Sequence, residues 1–526
     1  MASYNIAQEG VASRPRVSPR APRRGLWAAI DGLATGRLSL DHLWLLIAVA
    51  APFVMLSRFT VQPNDFWWHI RMGQVILTTG RIPTTDFFTF TQTGQPWLNQ
   101  SWLMQILLNL LYRAGELPLV IFAHAITITA GYILVMLACL ATPGVGARAT
   151  ALATVCAAVL GVANWNVRPQ SASFLCFGLL VYSIERHRLR GGRVVWIWPV
   201  LFALWANLHG AFVFGLALLG IYMTARAAED LITRHHLSAD TVRALIAGGV
   251  AVAATALNPA GPLGMVNYVL GFLKSKATIN NNLEFLPLSI REPDGAIFVG
   301  LVTGFILLAS YRRTRLPWYQ IATLVLFGLG SLYTRRVLPW FGMGVAPAFA
   351  LVVMSALDRP AETGATRSGR PLINTGLAVF VLLVAFSALP WFRPFLPASF
   401  GLPHSTNVAT TPTRAAEVVC RLGPDLRLFN NQVYGSYLPW ACPTVPIFID
   451  TRMELYPAEQ WRDYGRIVKA QFGWDVRLHE YGVNALFVQK ESEKELIAAA
   501  KASGDWATLY EDDYAVLMQR IGRVIQ

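Results

Sequence analysis

Apolar residues run in long unbroken stretches along most of this chain, and polar residues gather between them. The first run, Leu43 to Val61, and a later one, Leu117 to Leu140, are each long enough to cross a bilayer as a helix, which takes roughly 20 apolar residues. Between them lies Pro63 to Asn99, carrying Asp65, Trp67, Trp68, His69, Arg71, Arg81, Asp86 and Trp97. That stretch is too polar to enter a membrane, so two spans hold it at one membrane face. Further apolar runs follow to a last one at Leu372 to Trp391, which gives about eleven spans. A segment such as Trp97 to Tyr112 is amphipathic and is expected to lie along the membrane surface.

Arginine sorts the loops by side. It collects at Arg148, at Arg186 to Arg193, at Arg226 to Arg243, at Tyr311 to Arg315 and at Asp358 to Arg370, as expected of cytoplasmic loops. The alternate loops, including Asn164 to Gln170, Leu208 to Gly210, Asn258 to Asp294 and Tyr333 to Arg336, then face the other side. These outer loops hold Asp65, His69, Asp86, Asn99, Asn164, Arg168, Asn207, His209, Asn258, Glu284, Arg335 and Arg336, whereas the inner loops hold Arg and little else of chemical interest. A site for chemistry is therefore expected on the outside. Arg335 and Arg336 run against the topological trend, which an anionic partner explains as well as interfacial snorkelling does.

Beyond Trp391 the pattern becomes that of a soluble α/β domain. Leu426 to Phe429, Val445 to Ile449, Ala485 to Val488 and Tyr514 to Met518 read as strands, and Thr413 to Arg421, Ala458 to Gln471 and Glu491 to Ala502 as helices. This part, 392–526, is expected to lie outside the cytoplasm, with residues 400–526 folding on their own as a soluble unit. Within it, Gly435 suggests a tight turn, and Asp450 with Arg452 reads either as a substrate contact or as an ion pair fastening the domain to the membrane part. Residues 1–40 read as a disordered, basic cytoplasmic tail, and 41–391 as the membrane domain with a large first outer loop at 63–116.

Composition agrees with this division. With 54% hydrophobic and 14% charged residues over 526, and a mean hydropathy of +0.43, the chain is a polytopic membrane protein. Its net charge of +14 follows from the inner-loop arginines, so we expect membrane lipids as partners and no nucleic acid. Cys139, Cys156 and Cys176 fall in apolar spans, while Cys420 and Cys442 fall in the exported domain, where a disulfide is permitted. No zinc-like spacing appears. Asp65 and His69, at i and i+4, offer two metal ligands without a third nearby, so no metal and no other cofactor is expected.

The outer face carries a chemical theme. Asp65, beside Trp67 and Trp68, is suited to take a proton from a hydroxyl. Arg168, Arg335 and Arg336 come from separate loops and suit a phosphate, because guanidinium groups grip its oxygens in pairs. Trp68, His69, Arg71, His209 and Glu284 complete the candidate binding set. Asp86, preceding Phe87 and Phe88 in a turn after Pro83, reads as a structural cap whose change to Asn would be mild.

This arrangement resembles the type C glycosyltransferase superfamily, whose members take sugars from polyprenyl-phosphate carriers. The motifs PNDFWWHIRMGQ, GRIPTTDFFTFT, PWLNQSWL, NVRPQ, WANLHG, NNQVYGSYLPW and IDTRMELY look more closely like a group of largely uncharacterised bacterial membrane proteins. The resemblance implies a GT-C-like bundle in the bacterial inner membrane, with its N-terminus cytoplasmic and its C-terminal domain periplasmic. It implies a polyprenyl-phosphate sugar donor, a glycan, lipid or protein acceptor, and Asp65 as the general base of an inverting transfer. The chain departs from several subfamilies in having no adjacent acidic pair there and no second-loop D-x-D. The alternative is a transporter or assembly subunit for envelope polysaccharide, which should show ionisable groups at mid-span and an internal repeat.

Overall fold

The computed structural model describes residues 38–274, 283–357, 370–395 and 405–521. The expectations for most of the basic tail, for the inner loop at 358–369 and for part of the outer loop at 275–282 lie outside these residues.

The membrane part is a helical bundle. It comprises α1 (Leu40–Ser57), α2 (Asp65–Thr79), α3 (Trp102–Ala141), α4 (Ala147–Gly161), α5 (Gln170–Arg190), α6 (Ile197–Leu208), α7 (Phe212–Arg234), α8 (Ala239–Ala254), α9 (Gly261–Lys274), α10 (Pro293–Tyr311), α11 (Trp318–Tyr333), α12 (Leu338–Leu357) and α13 (Pro371–Ser387). Among the described residues, six stretches are long and apolar enough to cross a membrane: α1, α3, α4 with the turn after it, α7, α10, and α12 with the turn before it. Shorter apolar helices lie at Arg193–Leu208, Trp318–Tyr333 and Pro371–Ser387. The chain is thus a multi-pass membrane protein.

α3 is two helices joined at a kink. Gly115 and Glu116 leave helical geometry, Pro118 follows, and the apolar segment proper begins at Leu117. The half before the kink packs under α2, where Asn109 Nδ2 donates to Ile70 O at 2.9 Å. The half after it crosses α5 so closely that a Cβ on Gly131 would strike the backbone of Phe174, and one on Gly178 the backbone of Gly131. Tyr132, Trp165, Phe174, Phe177, Trp205 and Trp340 fill the centre of the bundle.

The C-terminal part forms a four-stranded sheet. Its elements are α14 (Thr413–Leu422), β1 (Leu428–Asn430), α15 (Gln432–Ala441), α16 (Ala458–Val468), α17 (Trp474–Glu480), β2 (Ala485–Gln489), α18 (Lys494–Ser503), β3 (Trp506–Glu511) and β4 (Ala515–Arg520). The strand order is β1-β2-β4-β3, with β1 parallel to β2 and the other pairs antiparallel. Cys420 and Cys442 form a disulfide between α14 and the end of α15, with their Cα atoms 5.4 Å apart.

Two readings of this part are corrected. Val445 to Ile449 joins no sheet as a strand: Ile447 instead bridges Leu428 and Thr89, which lies between α2 and α3, with Phe90 N donating to Ile447 O and Ile447 N to Phe88 O, both at 3.0 Å. Gly435 makes no turn but lies inside α15, where a side chain would strike Ile449 O and the Asn430 amide. Asn431 supplies the cap that starts this helix, accepting from Val433 N at 2.9 Å and Tyr434 N at 3.1 Å.

The segment between α1 and α3 and the C-terminal part share one hydrophobic core. Val61, Phe66, Trp67, Trp68 and Trp97 from that segment are buried with Val419, Leu428, Tyr437, Leu438, Phe487 and Leu517. The Trp67 ring lies 5.1 Å from Tyr437 and 4.5 Å from Trp440. Val61 N donates to Thr406 O at 2.8 Å, tying the end of the first span to the entry of the domain.

Candidate active site

A cavity of ≈ 130 Å³ opens where α2, the α4–α5 connection, the turn after α6 and the C-terminal sheet domain meet. Asp65 is the first residue of α2, where the unpaired amides of a helix N-terminus favour a carboxylate. Trp68 and His69 follow at i+3 and i+4, so helical spacing turns all three into the cavity. Arg71 falls on another face, donating to Gln74 Oε1 at 2.9 Å, and does not line the cavity.

Arg168 approaches from the loop before α5. Its Nη1 lies 3.9 Å from Asp65 Oδ2, and its Nη2 donates to Glu284. Glu284 in turn accepts from Arg336 Nε at 3.3 Å, and the Arg336 guanidinium stacks 4.5 Å over Phe285. Glu284 thus holds two cationic side chains from different loops, and Arg168 and Arg336 both line the cavity. Arg335 turns outward to Glu292 and to Asp294 at 3.7 Å, and is not part of the lining. His209 lies at the cavity wall with Nδ1 accepting from Ala211 N at 3.2 Å and 2.9 Å from Ser173 Oγ.

The electrostatics separate these groups. Burial raises the Asp65 carboxyl above its ordinary range, against the pull of Arg168 and a hydrogen bond from the Thr451 side chain. Burial also drives His69 well below its usual value, helped by His209, Arg168 and Arg452. His209 is likewise well below, through burial and then Arg336 and Arg168. Both rings are therefore neutral near pH 7, donors rather than cations. For Glu284, burial works upward but Arg168 and Arg336 outweigh it, so it stays a carboxylate below its ordinary range.

The C-terminal domain supplies the remaining wall through Thr451, Arg452 and Glu454. Thr451 Oγ1 accepts from Trp68 Nε1 at 3.2 Å and lies 2.7 Å from Ser436 Oγ. Arg452, with a side chain only 1% exposed, donates from Nε to Asp450 at 2.9 Å and from Nη2 to Asp86 at 2.6 Å. Asp86 also caps its turn, accepting from Thr89 N at 3.1 Å and Phe88 N at 3.3 Å. Here Arg452 is the fastening ion pair between domain and loop. A further network joins Asn99, Gln105 and His69, with Gln105 Nε2 2.7 Å from Asn99 Oδ1 and 3.2 Å from His69 Nδ1. Thr451, Glu454 and Gln105 had no signal beyond lying in or beside the motifs IDTRMELY and PWLNQSWL. Among the described residues, no cluster of three or more His, Cys, Asp or Glu is disposed to hold a metal ion.

No family model matches this sequence, and no curated protein does. Solved structures do. The arabinofuranosyltransferase AftD from Mycobacteria is similar with a TM-score of 0.56 and 14% identity over 93% of this chain and 40% of that one. A mutant form of the same enzyme gives a TM-score of 0.54 at 14% identity, over 92% of this chain and 42% of that one. The apo oligosaccharyltransferase of Archaeoglobus fulgidus gives 0.49 at 13% identity, over 88% and 72%. The chain spans about two fifths of the length of the AftD chains that it matches. In fold, the chain is similar to this arabinofuranosyltransferase over most of its own length.

Proposed function

We propose that this protein is a membrane glycosyltransferase that moves a sugar from a polyprenyl-phosphate-linked donor to an acceptor hydroxyl on the outer side of a bacterial inner membrane. Eleven helices cross the bilayer on this reading: α1, α3 after its kink, α4 to α8, and α10 to α13. The N-terminus is cytoplasmic, and the cavity and the sheet domain face the periplasm. One observation carries the proposal: a carboxylate raised by burial, Asp65, lies 3.9 Å from Arg168 in a cavity that Arg336 also lines.

The chemistry follows from that pairing. Asp65 accepts the proton of the acceptor hydroxyl as its oxygen attacks the anomeric carbon. The bond from that carbon to the phosphate oxygen breaks, and the phosphate leaves with the electron pair. Arg168 and Arg336 stabilise the charge it gains, with the neutral His69 and His209 as further donors. Direct displacement inverts the anomeric centre.

The test is a structure of the full chain in lipid with undecaprenyl phosphate added. A phosphate head beside Arg168 and Arg336 is the expected result. A head group bound elsewhere, or a continuous passage through the bundle past Asp65, would transfer the case to a polysaccharide transporter.

A further inference from the structure

The cavity has two electrically different sides. On the bundle side, Arg168 and Arg336 share the carboxylate of Glu284. On the domain side, Arg452 is already offset by two carboxylates, Asp86 and Asp450, and Glu454 adds a third acidic group to the same wall. A phosphate would be repelled from this second side. A neutral ligand would not, and the groups there invite one.

Arg452 Nη1 is buried and has no hydrogen-bond partner, although Nε and Nη2 are fully engaged. A buried donor left unsatisfied costs on the order of 1–3 kcal/mol, so a ligand oxygen that reached it would recover that loss. The guanidinium is flanked by aromatic rings, with Trp97 at 4.9 Å and Phe88 at 5.0 Å. Glu454, in the next turn, lines the cavity and accepts from Trp97 Nε1 at 3.4 Å. A donor, an acceptor and an indole side by side match neighbouring hydroxyls on a sugar ring.

We infer that the C-terminal domain carries the acceptor subsite, in which Arg452 Nη1 and the Glu454 carboxylate bind adjacent hydroxyls of a neutral glycan while the donor phosphate occupies the Arg168 and Arg336 side. Asp65 lies at the seam between the two, touching Arg168 on one side and the Thr451 hydroxyl on the other. This assignment rests on the glycosyltransferase reading, and it makes the sheet domain part of the site rather than an appendage.

The test uses the full chain in lipid nanodiscs and two probes: undecaprenyl phosphate and a panel of neutral oligosaccharides. Two variants are compared with the parent protein. Arg452→Lys keeps a cation for Asp86 and Asp450 but lacks the second terminal nitrogen, and Glu454→Gln removes the charge while keeping an oxygen that can accept from Trp97 Nε1. Each variant should weaken oligosaccharide binding about tenfold or more while undecaprenyl phosphate binding stays within about twofold. Should Arg452→Lys fail to fold, Glu454→Gln decides alone. Oligosaccharide binding left intact by the variants, loss of lipid-phosphate binding instead, or a parent that binds the lipid phosphate but no glycan would each overturn the subsite and leave the donor site standing. A parent that binds neither probe would bring down the broader reading as well.

Discussion

Asp65 gains its interest from the balance of forces on one carboxyl. Burial raises its proton affinity, and Arg168 restrains the rise. A base in this state must be ionised to work, so the transfer rate should fall as pH drops through a value above the ordinary carboxylate range. Asp65→Asn keeps size and hydrogen bonding but removes the base. Turnover should then fall about a hundredfold or more, with undecaprenyl phosphate binding unchanged, as read from initial rates and lipid binding on the same preparation. Near-normal turnover in folded protein would rule out the base. Asp86 tells a different story. Read as a cap it should tolerate Asn, yet its carboxylate is buried and pairs with Arg452. Asp86→Asn is therefore expected to cost about 3 kcal/mol, at the lower end of a broken buried pair because Asp450 remains, measured by tryptophan fluorescence on unfolding in detergent. Asp65, His69, Arg168, His209 and Arg336, which line one cavity, and Glu284, which pairs with two of them, could be picked out because each stands in a polar segment between apolar runs. Arg71 and Arg335 were not separable from them: Arg71 is turned about 240° around the helix from Asp65, and Arg335 differs from Arg336 only in which way one tight turn faces.

At the level of elements, long apolar periodicity was readable and short or one-sided pieces were not. The helix bearing Trp102 to Ala141 was anticipated as an amphipathic stretch followed by a span, and its kink at Gly115 and Glu116 falls between them. Glu116 has φ 51° with ψ −152°, a region nearly reserved for glycine. Glu116→Gly should therefore raise thermal stability or leave it unchanged, while the branched Glu116→Val should lower it by about 1–3 kcal/mol; the reverse order would mean that the kink is set elsewhere. β3 escaped notice because it is an edge strand, buried at Trp506 and mostly exposed beyond it, so no alternating apolar face marks it. Ile447 looked like a strand residue because it is extended and buried, but its partner, Thr89, lies far away in sequence.

At the scale of the whole molecule, the division into a helical membrane part and a C-terminal sheet domain does not coincide with the division of the core. Tyr437, Trp440 and Ile447 of the C-terminal domain are covered by the segment between α1 and α3, and Arg452 is neutralised in part by Asp86 from that segment. Independent folding, expected from the composition change at Trp391, would uncover this face. Residues 405–521 expressed alone should aggregate or unfold without a sharp transition, and a soluble, cooperative fragment would contradict the shared core.

The same buried arginine bears on how proteins of this design can exchange parts. A crossover placed after α13 keeps each half of the chain intact by composition, yet it would seat a foreign domain on a loop whose carboxylate at position 86 and indole at position 67 were matched to another surface. The unit that closes the cavity is a discontinuous one: the loop from Val61 to Ser101 together with the sheet domain. Its two pieces stand more than 300 residues apart, as the 366-residue separation of Asp86 and Arg452 records, and must travel together for a hybrid to close its cavity.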